Sequence, residues 1–158
     1  MTTMGDGPAP VPRARPIVLL LSGANLNLLG EREPELYGTE RLDDHIRRAE
    51  ATAAAAGMVL EHIQSNAESE LVAAIHAARG RVAAIVINPG AFTHYAWSLH
   101  DALAAFEGPI VEVHLSNINR REPWRHTSVV APVASGTISG LGGVGYELAL
   151  TAVARLLA

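Results

Sequence analysis

Cysteine and lysine are both missing from this chain of 158 residues. Without cysteine there is no disulfide, no thiolate metal site and no thiol nucleophile. Without lysine there is no amine to form an imine with a carbonyl, no pyridoxal phosphate anchor and no phosphate lysine of a Walker loop. All 12 basic side chains are therefore arginine, set against 16 acidic ones, and the formal net charge of −4 offers no chain-wide positive field for a nucleic-acid backbone. Long apolar runs are scarce: Ile17 to Leu21, the longest near the start, is far too short to span a bilayer. Residues 1–16 carry Pro8, Pro10, Pro12 and Pro16 with no apolar stretch, which reads as a flexible tail rather than a signal peptide, so the expected setting is soluble and cytoplasmic. The chain is 49% hydrophobic and 18% charged, enough for one domain with a real core over residues 17–158.

Short apolar runs alternate with amphipathic stretches, the pattern of β-α-β units in a parallel sheet. Strands are expected at 17–21, 58–63, 82–87 and 110–115, with a short fifth between Val129 and Ser139. Helices are expected from a Thr39 cap through Leu42, Ile46, Ala49, Ala53 and Ala56, through Leu71, Ile75 and Ala78, from Thr93 to Phe106, and from Tyr146 to Leu157 with Leu148, Ala152, Val153 and Leu156 inward. The whole predicts a single α/β domain, a flavodoxin-like doubly wound sheet of five parallel strands in the order 2-1-3-4-5. The segment Ser22–Gly38 fits neither period and is long for a strand-to-helix connection, which marks it as a functional lid or a disordered loop.

In such sheets ligands bind beyond the carboxyl ends of the strands. There the sequence sets Asn25, Arg32 and Tyr37 after the first strand, Asn88 and His94 after the third, and His114, Ser116, Arg121 and Arg125 after the fourth. Alternation puts Glu112, His114 and Ser116 on one face of the fourth strand. Glu112 and His114 then either satisfy each other in the core or form an oriented general acid or base. A tyrosine base near neutral pH needs roughly 4 kcal/mol of help in deprotonation, which a neighbouring guanidinium could partly supply. On spacing alone, however, the duller reading wins: Arg32 and Tyr37 fit a surface arginine and a tyrosine packing the loop, and His94, Asp101, Arg121 and Arg125 fit solvated charges. Gly140-Leu-Gly-Gly-Val-Gly145 matches a dinucleotide fingerprint but lacks the following strand and the acidic residue about twenty positions on, so these glycines are expected to serve a tight turn and close packing. His94, His100, His114 and His126 show no metal-binding spacing, and no metal is expected.

Four segments carry a family resemblance: Asn25–Gly38, Gln64-Ser-Asn66, Ile87-Asn-Pro-Gly-Ala-Phe-Thr-His94 and Val111–His126. In order and spacing they resemble type II 3-dehydroquinate dehydratase, over essentially all of residues 17–157. The resemblance implies a cofactor-free dehydratase that turns 3-dehydroquinate into 3-dehydroshikimate through an enolate, assembled from trimers into a homododecamer. It implies Tyr37 as base, Arg32 as the cation that holds its phenolate, Asn25 near the enolate, and His114 backed by Glu112 as acid. It further implies that Asn88, His94, Arg121, Arg125 and the backbone amides of Leu115 and Ser116 bind substrate, with Asp101 reaching in from a neighbouring subunit. The missing lysine agrees, since the other dehydratase type works through a lysine imine. The chain departs from the usual pattern at Ser22-Gly-Ala-Asn25, where the family commonly reads Asn-Gly-Pro-Asn, and at Ala67, Ser69, His100 and Asn119. A non-catalytic relative and a flavin-binding protein of the same fold are the competing readings.

Overall fold

The structure, a computed structural model, describes residues 11–158. Five parallel strands, β1 (Ile17–Ser22), β2 (Val59–Gln64), β3 (Ala84–Asn88), β4 (Ile110–His114) and β5 (Gly136–Ser139), form one sheet in the order β2-β1-β3-β4-β5. The sheet order and the single domain are those read from the sequence. Chain order places α1 (Pro34–Tyr37), α2 (Leu42–Ala55), α3 (Glu68–Ala78), α4 (Trp97–Ala104) and α5 (Val144–Leu156) between and after the strands.

The central strands β1, β3 and β4 are covered on both faces, which explains the nearly unbroken apolar runs of β1 and β3; in β4 the run is interrupted only by the buried Glu112 and His114. Val18, Leu20, Ala84, Val86, Val111 and Val113 pack beneath α2 and α5, while Leu19, Leu21, Ile85, Ile87 and Ile110 pack beneath α3 and α4. Each fully buried side chain of this kind contributes on the order of 1.5–3 kcal/mol. Of the expected tail, residues 1–10 lie outside the described residues. Val11–Pro16 is exposed and irregular, although Arg15 donates to the Met58 carbonyl at 3.1 Å and so ties its end to the loop after α2.

Three helix expectations are corrected. The α2 cap is Arg41 and not Thr39, because the Asp44 carboxylate accepts the Arg41 N–H at 3.0 Å and fixes the first turn there; Ala56 ends the helix exposed. The run from Thr93 to Phe106 is two pieces, a 3₁₀ turn at Gly90–His94 and then α4, since the Thr93 carbonyl accepts from Val129 N at 2.7 Å and its hydroxyl turns inward to Glu112. In α5 the buried stripe is Tyr146, Ala149, Leu150 and Val153, leaving Leu148 and Leu156 exposed. Tyr146 sets that phase by anchoring its hydroxyl under the sheet end at Asn88, 2.9 Å away. The glycine-rich approach to α5 packs closely as expected: a Cβ on Gly143 would lie 2.2 Å from His45 Nδ1.

Candidate active site

The carboxyl ends of β1, β3 and β4 open into one cleft. Its walls include Asn25, Arg32, Tyr37, Asn88, His94, His114, Leu115, Ser116, Arg121 and Arg125. Ten of the sequence candidates are thus brought together, with Glu112 directly behind His114. Asp101 is not among them: it lies exposed on α4, outside the cleft of its own chain. No carboxylate is present among the lining residues, whereas three guanidinium groups are, so the cleft is built to receive an anion.

The β4 side is fixed by buried hydrogen bonds. Glu112, 1% exposed, accepts from His114 Nε2 at 2.7 Å, from Ser128 Oγ at 2.9 and 3.0 Å, and from the Thr93 hydroxyl. Burial pushes its pKa up, yet the hydrogen bonds from His114, Thr93 and Ser128 and the charge of His114 outweigh burial and hold it below the ordinary carboxylate value. Glu112 is therefore an anion that orients the imidazole and balances its charge when protonated, while Nδ1 of His114 makes no bond to the described residues. Thr93 and Ser128 are functional residues that sequence reasoning missed, being 19 and 16 positions from Glu112 with no local pattern to join them.

The histidines that invited a metal are spent separately. His94 Nδ1 donates to Thr127 O at 2.7 Å, His100 Nδ1 to Val129 O at 2.7 Å and His126 Nε2 to Arg121 O at 3.2 Å. Together they pin the loop between β4 and β5, which carries Arg121 and Arg125. With Nδ1 donating, neutral His94 presents Nε2 as an acceptor, and burial lowers its pKa. Arg125 donates to Glu122 at 2.8 Å and stacks over Trp124, 4.1 Å from the ring centre, which fixes its plane and leaves its terminal nitrogens for the cleft.

Opposite, residues 23–38, the segment marked as a candidate lid, follow β1 with a 3₁₀ turn at Leu26–Leu28 and then α1, whose last residue is Tyr37. The cation at the Tyr37 oxygen is Arg121, whose Nη1 donates at 2.6 Å with its guanidinium carbon 5.4 Å from the ring centre. Arg32 lines the cleft but pairs with Glu33 at 3.3 Å, so the expected Arg32 to Tyr37 contact is not made in this state. Glu33, in the left-handed region at φ 42, turns the chain between them.

Asn25 is left-handed as well, at φ 68, and its N–H is held by Asn66 Oδ1 at 2.9 Å. Asn66 and Gln64, whose amide donates to Gly23 O at 3.3 Å, brace this loop from the end of β2. Gly23 is required where it stands, because a Cβ there would lie 2.0 Å from Pro89 O. The Ser22 departure does not face the cleft: its side chain is buried and bonds His62 Nε2 at 2.9 Å. No group of three histidines, aspartates or glutamates placed to hold a metal ion occurs among the described residues.

Comparison with known proteins agrees with this geometry. The family model "Dehydroquinase class II" matches residues 16–154. A 3-dehydroquinate dehydratase 2 of Pseudomonas putida is 53% identical over 90% of this chain and 96% of its own length. A 3-dehydroquinate dehydratase of Halalkalibacterium halodurans is 48% identical over 86% of this chain and 94% of its own. Among solved structures, the type II dehydroquinase of Propionibacterium acnes superposes with a TM-score of 0.84 at 44% identity, covering 88% of this chain and 96% of that one. The cleft at the ends of β1, β3 and β4 and these matches lead to one conclusion: the chain belongs to the dehydroquinase class II family.

Proposed function

We propose that this chain dehydrates 3-dehydroquinate to 3-dehydroshikimate, with Tyr37 as base and His114 as acid. The observation that carries the reading is the pairing of Tyr37 with Arg121 on one wall of an arginine-lined cleft and of His114 with Glu112 on the other. Tyr37, as phenolate beside the Arg121 guanidinium, takes the C2 proton alpha to the ketone, and the electron pair moves into an enolate. Asn25 stabilises that enolate. Protonated His114 then gives its proton to the C1 hydroxyl, the C1–O bond breaks, water leaves on the opposite side of the ring from the abstracted proton, and the C1–C2 double bond forms. Arg125 takes the substrate carboxylate, and Asn88, His94 and the amides of Leu115 and Ser116 take the ring hydroxyls and remaining carboxylate oxygen. Every step runs on side chains and backbone, with no cofactor.

Assembly from trimers into a dodecamer belongs to the same reading. Asp101 lies exposed on α4 beside Trp97, 61% exposed, and near Tyr95, 58% exposed, a surface suited to a second copy whose cleft Asp101 would complete. A cytoplasmic setting is also part of it; no helix among the described residues is long and apolar enough to cross a membrane. The test is the rise in ultraviolet absorption as the conjugated enone forms from 3-dehydroquinate. A folded wild type that binds 3-dehydroquinate without that rise would overturn the assignment in favour of a binding-only relative.

A further inference from the structure

We infer that Tyr146 is a positioning residue that, together with the Gly90 N–H, holds the Asn88 amide so that Asn88 offers the substrate a donor and not an acceptor. The inference rests on the proposed reaction for its kinetic readout and on buried geometry for its substance. Asn88 is 2% exposed at the end of β3, and both ends of its amide are engaged. Oδ1 accepts the Gly90 N–H at 3.2 Å, and Nδ2 donates to the Tyr146 hydroxyl oxygen at 2.9 Å. That leaves one Nδ2 hydrogen for the cleft that Asn88 helps to line. Flipping the amide would set Nδ2 against the Gly90 N–H, donor against donor, and so would lose that hydrogen bond in a buried place.

The phenol that holds Nδ2 is itself constrained. Tyr146 is fully buried, and burial pushes its pKa up to about 12, with the Asn88 amide and the Ser22 hydroxyl beside it pulling the other way. It therefore stays a neutral hydroxyl across the working range, and its oxygen is there to accept from Asn88 Nδ2.

Tyr146→Phe keeps the ring and its burial and removes only the oxygen. We expect KM for 3-dehydroquinate to rise about tenfold with kcat changed less than about twofold, because Asn88 holds the substrate in ground and transition states alike. In an Asn88→Ala background the same change should leave KM where Asn88→Ala alone puts it, the signature of action through Asn88. A fall in melting temperature with unchanged KM would show a structural role only and overturns the inference, as do additive effects of the two changes. Hydrogen exchange of the Asn88 side-chain amide needs no turnover: slow exchange in wild type that becomes fast in Tyr146→Phe supports the inference, and equal rates overturn it. An inert wild type would count against the proposed reaction while that exchange measurement still decides this point.

Discussion

The two walls of the cleft are built on different terms. On the β4 side the proposed acid is over-determined: Glu112 behind it is 1% exposed and takes hydrogen bonds from three side chains, and the loop above is pinned by three histidines to backbone carbonyls. On the other side the proposed base sits on a one-turn helix with no fully buried residue, and one hydrogen bond from Arg121 joins it to the opposite wall. On α2, against Tyr146 and the start of α5, His45 carries a buried Nε2 with no partner among the described residues. In the proposed mechanism, then, the acid is placed by folding, whereas the base is placed by a cross-cleft contact that a ligand can remake.

The sharpest way to break this comparison is to strip each wall of its reacting group. Tyr37→Phe should lower kcat about 10³-fold while the melting curve stays put, since phenylalanine keeps the half-buried ring packed and removes only the hydroxyl. Glu112→Ala should do both kinds of damage: a loss of about 3 kcal/mol in urea unfolding, from orphaned His114, Thr93 and Ser128, and about a 10²-fold fall in kcat. If Tyr37→Phe destabilised the fold, or if Glu112→Ala spared it, the division between the walls would not hold.

The same division accounts for what could be read in advance. The sheet was legible because β1, β3 and β4 are buried on both faces and advertise it as Ile17–Leu21, Ala84–Ile87 and Ile110–His114. The Glu112 and His114 pair was legible because strand alternation is local. Contacts that close over long sequence distances were not: Arg121 meets Tyr37 across 84 positions, and Ser128 meets Thr93 across 35. The Arg32 to Tyr37 pairing, implied by the resemblance and not by spacing, is not made here, because Glu33 turns the backbone between them and takes the guanidinium. Helix α5 misled the periodicity: its leucines favour one phase, and a single buried phenol, Tyr146, selects another.

Which arginine serves the base sharpens the comparison further. Arg121→Gln removes the contact between the walls and should cost about 10²-fold in kcat, with a smaller change in KM. Arg32→Gln tests whether the lid cation replaces Arg121 once substrate is bound. If closure brings Arg32 onto the phenol, the Arg32 loss equals or exceeds the Arg121 loss; if the contact seen here persists, Arg32→Gln costs less than about tenfold, chiefly in KM. Stopped-flow rates for the two variants decide between these outcomes.

The smallest expected effect concerns the packing of α2 against α5. His45 is 3% exposed, and because Arg48 can only donate to its Nδ1, at 3.0 Å, the proton sits on Nε2, a buried donor with no partner among the described residues. His45→Leu should therefore stabilise the fold by about 1 kcal/mol at pH 8, where removal of the unsatisfied group is the whole effect. At lower pH the gain should grow. Burial lowers the His45 pKa from its ordinary 6.5, so below that value the unfolded chain binds a proton that the folded chain refuses, and folding stability falls as pH drops. His62 and His94, lowered chiefly by burial, add the same sign in the same window, while Glu112, lowered from 4.5, withdraws its contribution only as pH falls below that. Urea unfolding at pH 8 and at pH 5.5 separates these terms: the variant should lose less stability between the two than wild type does. Equal losses would mean that folding leaves the proton affinity of His45 unchanged, and the contrast between the walls would then rest on α1 alone.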